Sequence, residues 1–504
     1  MERGSSGGLM GNCCKLSMSN VESTTPLLVA RRLFDSNNAA PFDELATIPR
    51  MYADGEALKH ADMLYILWLR KLQLCLIEDL AAKVAARHCQ DTPTKAVFYK
   101  EEANNRCYKV TFATGRNVVV RLPKLGIVAL RREKVESELC VMDCLSQHSS
   151  IPIPRIFGSG VCDVGPYMVL EFIDGTPLGK YFHASLSDRS KAADLDSVKN
   201  GSELWRCYQE MARIFLTLSR CQFSQIGCPR RDADGIWSVD KRPVTYNINN
   251  LLMHANFPPR DLGKGPYSTA TDYFVALARD HMRHLQTQRN DAVADEMDCK
   301  KKYVARCLFT KIAHSFSTTY NNGPFCLYCD DLQPSEVIVD ADLRTQSVIN
   351  WEFCYVAPAE FTHCSPWWLL LEGPHDLENG IDDFLSHYEP RQQIFLSVLR
   401  ECEAEAAAQG YTVTPSLSEH MERSMQDGTF WFCLAARSCF LFDDIYWKFI
   451  DSKYYGEFTS IEDRIALLSK DEQTELDGFY QMKMEQAAER TLDKHQTFDE
   501  ILAS

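Results

Sequence analysis

Residues 324–340 read PFCLYCDDLQPSEVIVD and residues 345–353 read TQSVINWEF, two short β-rich stretches separated by a turn at Asp340 to Arg344. Runs such as Val337-Ile338-Val339 suit a pleated, buried surface, and the polar residues gather beside them. The acidic segment Asp330 to Glu336 leads into the first run. Asn350-Trp351-Glu352 follows fourteen residues after Glu336.

Outward from this segment the pattern changes. Upstream, from about Thr176 to Ser317, helical spacing dominates, with a loop-rich insert near Cys228 to Lys264 that holds several Pro and Gly. Downstream, residues 376 to about 490 are again helical. Further towards the N-terminus, Val97, Phe98, Val110, Phe112 and Val118-Val119-Val120, with Gly115 at a turn, predict antiparallel strands. RREKVESELCVMDCL then sets Val135, Leu139 and Met142 on one helical face. IPIPRIFGSG returns to the extended state because each Pro restrains its predecessor, and GPYMVLEFIDG is an apolar strand ending in a turn. Strands, one helix, more strands and a helical remainder make an α+β, two-lobed outline.

The expected organisation is a flexible tail over 1–45, a helical extension over 46–93, a small β-rich lobe over 94–175 and a large, mainly helical lobe over 176–490. In the extension, Leu64, Leu67, Leu69, Leu72, Leu74, Ile77 and Leu80 recur at helical spacing, which predicts a helix packed on the lobe behind it.

A chain of 504 residues with 45% hydrophobic and 24% charged content has material for a sizeable core and is neither wholly disordered nor fibrous. A formal charge of -15 argues against broad binding to nucleic acid or anionic membrane. The most membrane-like run, Met63 to Trp68, meets Arg70 and Lys71 too soon to span a bilayer. The 20 Cys read as reduced, mostly buried thiols, which makes the cytoplasm the expected compartment. MGNCCK at Met10 imitates an acylated N-terminus, but Gly11 is internal and Lys15 stands where Ser or Thr is wanted.

Phosphoryl transfer to a hydroxyl needs one carboxylate to orient the acceptor and take its proton, and oxygen ligands that hold Mg²⁺ against the β- and γ-phosphates. Asp331, a ligand five residues on and another after a short hairpin have that layout. With these residues the chain resembles the aminoglycoside phosphotransferase and choline kinase branch of protein-kinase-like enzymes, specifically its large fungal group. There the loop reads H-x-D-x-x-x-x-N followed by an apolar run, and a second motif reads [IV]-D-W-E. RPVTYNINNLL, APAEFTHCSPWWLLLE and SMQDGTFWFCLAARSCFLFDDIYW extend the likeness from about Ala96 to Tyr455.

The resemblance implies a protein-kinase-like fold, ATP with Mg²⁺ as cofactors, and a small-molecule hydroxyl as acceptor, with neither nucleic acid nor membrane as partner. It places Asp331 as the base. It assigns the metal positions to Glu336, where the family has Asn, and Asn350, where it has Asp; Cys329 replaces the loop His. Arg121 and Glu138 fall on the nucleotide-gripping cation and its helix carboxylate, a pair expected to border an open cleft. Arg is serviceable in place of Lys because it pairs bidentately with carboxylate or phosphate. Glu171 and Ile173 fall on the linker whose backbone meets the adenine edge. The phosphate-covering turn falls near Glu101 to Arg106, yet EEANNR has no glycine to ease backbone approach.

Because the metal positions are exchanged, two further classes stand beside the enzyme: a pseudokinase acting as a ligand-binding or interaction module, and an enzyme repurposed to non-phosphorylating chemistry. A zinc site on Cys326 and Cys329 with Cys354, His363 and Cys364 lacks a second tight pair at finger-like spacing. Trp367 and Trp368 read as core.

Overall fold

The computed structural model describes residues 51–186, 202–371, 381–411 and 415–503. The expected tail and the motif at Met10 lie outside the described residues.

Five antiparallel strands form the small lobe: β1 (Pro93–Glu101), β2 (Asn105–Phe112), β3 (Asn117–Pro123), β4 (Ile156–Cys162) and β5 (Gly165–Glu171), in the order β1-β2-β3-β5-β4. Successive side chains of a strand point to opposite faces, and β3 uses both. Val118 and Val120 are fully buried beneath α1 (Gly55–Leu74) and α2 (Ile77–Cys89), against Leu64, Trp68, Val84 and Ala85. Arg121 belongs to the other face, where α3 (Arg131–His148) packs and the cleft lies.

The helical extension differs from its expected form in two ways. It is two helices, because the backbone turns left-handed at Leu76 (φ 46°). The buried stripe of α1 is Ala57, Ala61, Leu64, Trp68 and Leu72, while Leu67 and Leu74 are exposed. Alternate leucines on a helix cannot all face one core, and Trp68, whose Nε1 donates to Val164 O at 2.8 Å, selects the face. Asp54 caps α1 by accepting from the N–H groups of Glu56 and Ala57. It also accepts from Asn290 of the large lobe, which ties the start of the extension to that lobe.

The large lobe is built around α4 (Glu203–Leu218), α5 (Tyr246–His254), α6 (Ala270–Thr287), α7 (Glu296–Phe316), α8 (Ile381–Ala408), α9 (Leu417–Asp427), α10 (Thr429–Ala436) and α11 (Lys470–Glu489). The insert expected to be irregular carries a two-stranded ladder, Cys228–Arg231 with Trp237–Lys241, as well as α5. Trp368 is fully buried among Phe182, Tyr208, Phe215 and Phe395, as core. No described helix is long and apolar enough to cross a membrane.

The opening segment yields three short strands where two stretches were expected, and a fourth follows it directly. β6 (Phe325–Cys329) pairs with β9 (Cys354–Ala357), and β7 (Val337–Val339) pairs with β8 (Thr345–Val348), all antiparallel. β7 also pairs with Thr176–Pro177, just after the lobe-connecting strand β5. Gly175 allows that approach: its φ is +153°, and a Cβ there would sit 2.5 Å from Ile338. The architecture is α+β, with a small lobe of antiparallel strands and a large, mainly helical lobe, as the expected fold class has it.

Candidate active site

The loop between β6 and β7 presents two adjacent aspartates with opposite roles. Asp330 is pinned: its Oδ2 accepts from the Tyr246 N–H at 3.1 Å, its Oδ1 lies 3.5 Å from Arg437, and its carbonyl accepts from Trp367 Nε1 at 3.3 Å. Arg437 also donates to the Tyr328 hydroxyl. Asp331 is half-buried, and among the described residues its carboxyl makes no hydrogen bond or ion pair. Burial, then Glu352, Glu336 and Asp330 in turn, push it well above the usual carboxylate range. A half-buried carboxyl that no group among the described residues holds is free to meet an incoming hydroxyl.

Three cations face this loop. Arg121 donates to Glu138 at 2.7 Å and to Asn350 Oδ1 at 2.9 Å, with Glu102 at 3.4 Å. Lys100 pairs with Glu102 at 2.7 Å. Lys134, one helical turn before Glu138 on α3, pairs with Glu352 and lies 3.7 Å from Glu138. Glu352 gathers donors from both lobes: Asn104 at 3.1 Å, Asn105 and Asn350 at 3.2 Å each, and Lys134. Burial alone would raise its pKa, but Lys134 and Arg121 overcome that and hold it down at about 2. Burial, and next the Glu102 charge, push Glu336 up to about 8.

Arg121, Glu138, Asn350, Asp331 and Glu336 therefore converge on one cleft. Arg121 and Glu138 do not border open space, however, since both are almost fully buried. The reason is the turn between β1 and β2. Without glycine it offers side chains in place of bare backbone, and Asn104 and Asn105 reach across to Glu352. Lys134 carries no expectation from the sequence, and Glu102, Asn104 and Asn105 enter there only as part of the turn at Glu101 to Arg106. The one available signal was Lys134 at i−4 from Glu138.

The linker residues lie at the far end of β5. Glu171 is exposed; its N–H donates to Arg155 O, and its carboxylate accepts from the Arg155 N–H. Among the described residues no hydrogen bond involves the Ile173 backbone, so its N–H and C=O are open to a ligand edge. Cys326 and Cys329 donate to Ser219 O and Glu352 O, and Cys364 packs against Cys433. Among the described residues no three His, Cys, Asp or Glu side chains gather as a metal-binding group.

The expected metal positions differ in fitness. Asn350 does not suit a divalent ion, because its only ligand oxygen already accepts from Arg121. Glu336 suits one better: among the described residues its carboxylate has no hydrogen-bond or ion-pair partner. Mg²⁺ retains several waters and needs only one or two carboxylates, so Glu336 with Asp331 suffices on the protein side.

No protein-family model matches the chain. Among curated proteins it is similar to "Altered inheritance of mitochondria protein 9, mitochondrial" of Debaryomyces hansenii, 30% identical over 301 residues, 51% of this chain and 46% of that protein. The Candida tropicalis protein of the same name is 39% identical over 88 residues, 16% of this chain and 14% of that protein. "Clavilactone A biosynthesis cluster protein Y" of Ampulloclitocybe clavipes is 26% identical over 258 residues, 49% of this chain and 56% of that protein. The chain thus spans about half the length of the first and third of these fungal relatives. Among solved structures it is similar to a GDP complex of an aminoglycoside 2'-phosphotransferase (TM-score 0.36, 14% identity, 82% of this chain and 100% of that one). A macrolide 2'-phosphotransferase type I gives a TM-score of 0.29 at 12% identity, over 71% of this chain and 95% of that one.

The expected cytoplasmic location is overturned by these relatives, of which the first two are named mitochondrial. Free thiols separate reducing from oxidising surroundings only, so the cysteines could not have distinguished the two compartments.

Proposed function

We propose that this chain transfers the terminal phosphoryl group of ATP to a hydroxyl of a small molecule, with Asp331 as the base. The observation that carries the proposal is the contrast within Asp330-Asp331: one carboxylate is held by a backbone N–H and an arginine, the other has no hydrogen-bond or ion-pair partner among the described residues. A structural loop has no need of an unpaired half-buried carboxyl, whereas a base that must meet a hydroxyl does.

The remaining parts take roles consistent with this. Ile173 offers backbone groups to the adenine edge. Arg121, oriented by Glu138, supplies fixed positive charge towards the phosphates, and Lys100 adds a second, more mobile one. Glu336 and Asp331 would hold Mg²⁺, which when bound neutralises charge on the phosphate oxygens. Nucleotide entry requires the Asn104–Asn105 turn to release Glu352.

The hydrogen-bonded closure over Glu352 also favours a second reading, a kinase-fold binding module without phosphoryl transfer. Calorimetry and thermal shift with ATP, with and without Mg²⁺, separate the two. The transferase reading expects Mg²⁺-dependent binding in the wild type and in Asp331→Asn, with slow nucleotide hydrolysis lost in the variant. A protein that binds no nucleotide at any Mg²⁺ concentration is the module. By likeness to its relatives the chain belongs in mitochondria, which fractionation of the source organism tests; recovery in the cytosol alone removes that assignment.

A further inference from the structure

The transferase reading leaves one buried charge without a task. Lys134 is almost fully buried, and a buried ammonium is costly unless paired. Its partners are Glu352, Glu138 at 3.7 Å and Asn105 Oδ1 at 3.4 Å, oxygens drawn from the metal-motif strand, the helix and the covering turn. Such a set of carboxylate and carbonyl oxygens from both lobes is what a hard cation would be offered. The ammonium stands beside Asp331 as well, closely enough to lower its pKa against the stronger upward effects.

The rest of the metal motif is likewise occupied, by one further cation and by neutral amide donors. Asn350 Oδ1 is taken by Arg121, and both oxygens of Glu352 are taken, one by Asn104 and Asn350, the other by Asn105 and Lys134. No oxygen of the Asn350-Trp351-Glu352 side chains remains for an ion. By contrast, the oxygens of Asp331 and Glu336 are open. The cleft sets five carboxyl groups, Glu102, Glu138, Asp331, Glu336 and Glu352, against three cations, Lys100, Arg121 and Lys134. Among the described residues Asp331 and Glu336 are the two of these five carboxyls that no cation pairs, so one divalent ion bound there would displace their protons and balance both.

We infer that Lys134 is a built-in cation that replaces one of the two divalent ions of kinase-type sites, so that this cleft binds its nucleotide with a single divalent ion. The inference rests on the transferase reading and adds to it the metal requirement. Protein kinases place two ions between the catalytic-loop and second-motif ligands. Here the second-motif position is filled by an ammonium that cannot dissociate. Lys134 is thus a positioning residue for the phosphates through charge, and its removal alters ion number as well as affinity.

The test counts Mn²⁺ bound to the full chain in the presence of saturating non-hydrolysable ATP analogue, by electron paramagnetic resonance of free Mn²⁺. The wild type is expected to bind one Mn²⁺ per chain, and Lys134→Arg, which keeps the charge, also one. Lys134→Gln removes the ammonium and is expected to bind two, with nucleotide affinity at low Mn²⁺ reduced at least tenfold and restored as Mn²⁺ rises. A purely structural lysine would change stability without changing ion number. Two Mn²⁺ in the wild type overturn the inference and leave the transferase reading intact. One Mn²⁺ in both wild type and Lys134→Gln, with equal nucleotide affinity, also overturns it. Absence of analogue binding to the wild type overturns both. The wild-type count needs no variant and can overturn the inference even if Lys134→Gln fails to fold.

Discussion

Replacing Glu352 by Gln probes the network that joins the two lobes. Glu352 is buried and accepts from Lys134, Asn104, Asn105 and Asn350, and its pKa is held at about 2 against an ordinary 4.5. That depression corresponds to on the order of 3 kcal/mol of folded-state stability at neutral pH. The cost expected for breaking a buried pair by removing one partner is similar, about 3–5 kcal/mol, because Lys134 is left without its main counter-charge. Since the folded pKa lies below the unfolded one, the contribution is present above about pH 4.5 and is lost as pH falls towards 2. Urea unfolding of wild type and Glu352→Gln between pH 7.5 and 3 should therefore show a gap of about 3 kcal/mol at neutral pH. The gap should narrow by about 1.4 kcal/mol per pH unit once the unfolded carboxylate begins to protonate. A gap below about 1 kcal/mol at pH 7, or one independent of pH, would refute the claim that Glu352 is charged, buried and paired.

The two aspartates should separate cleanly. Asp331→Asn is expected to reduce turnover by roughly 10²–10⁴ with stability kept or raised, since it removes an unpaired half-buried acid. Asp330→Ala should instead lose about 1–3 kcal/mol in unfolding experiments, as Tyr246 and Arg437 lose their acceptor. Glu336 titrates near 8 when metal-free, so protons compete with the divalent ion. Its affinity, followed by calorimetry, should rise about tenfold per pH unit from 6 to 8 and then level off, whereas a flat profile removes Glu336 from the ion site. The same raised pKa makes the metal-free protein less stable as pH climbs from 4.5 through 8. Cys140 is half-buried with a thiol lowered to about 7, chiefly by the hydrogen bond from Cys228. Peptide mapping after brief iodoacetamide treatment at pH 7 should find it modified ahead of the other described cysteines.

Much of the architecture could be read from residue order because period-2 and period-3.6 patterns report directly on local backbone. Val118 and Val120 marked a buried strand face, and Val135, Leu139 and Met142 the packed side of α3. The helical extension was less transparent. Its leucines occupy more than one face, and only the position of Trp68 over the sheet selects which of them are buried. The site was legible where one residue type in one loop carries the chemistry, as at Asp331. It was not legible where function depends on what side chains from distant segments do to one another. Asn104 and Asn105 could be read as lacking glycine, but not as ligands of Glu352 some 250 positions away in the chain. Lys134 is an ordinary helix lysine by sequence and acquires meaning only through the carboxylates that surround it.

The most direct test of the central claim is transfer itself. Wild type and Asp331→Asn, each with Mg²⁺ and ATP labelled in the γ-phosphoryl group, are incubated with a small-molecule extract of the source organism and followed by mass spectrometry. The account predicts that a labelled phosphomonoester of a small molecule appears with the wild type and is absent with Asp331→Asn, although both proteins bind ATP. Equal labelling by both proteins, or tight Mg²⁺-dependent ATP binding by the wild type with no labelled product, would contradict the assignment of Asp331 as the base of a phosphotransferase.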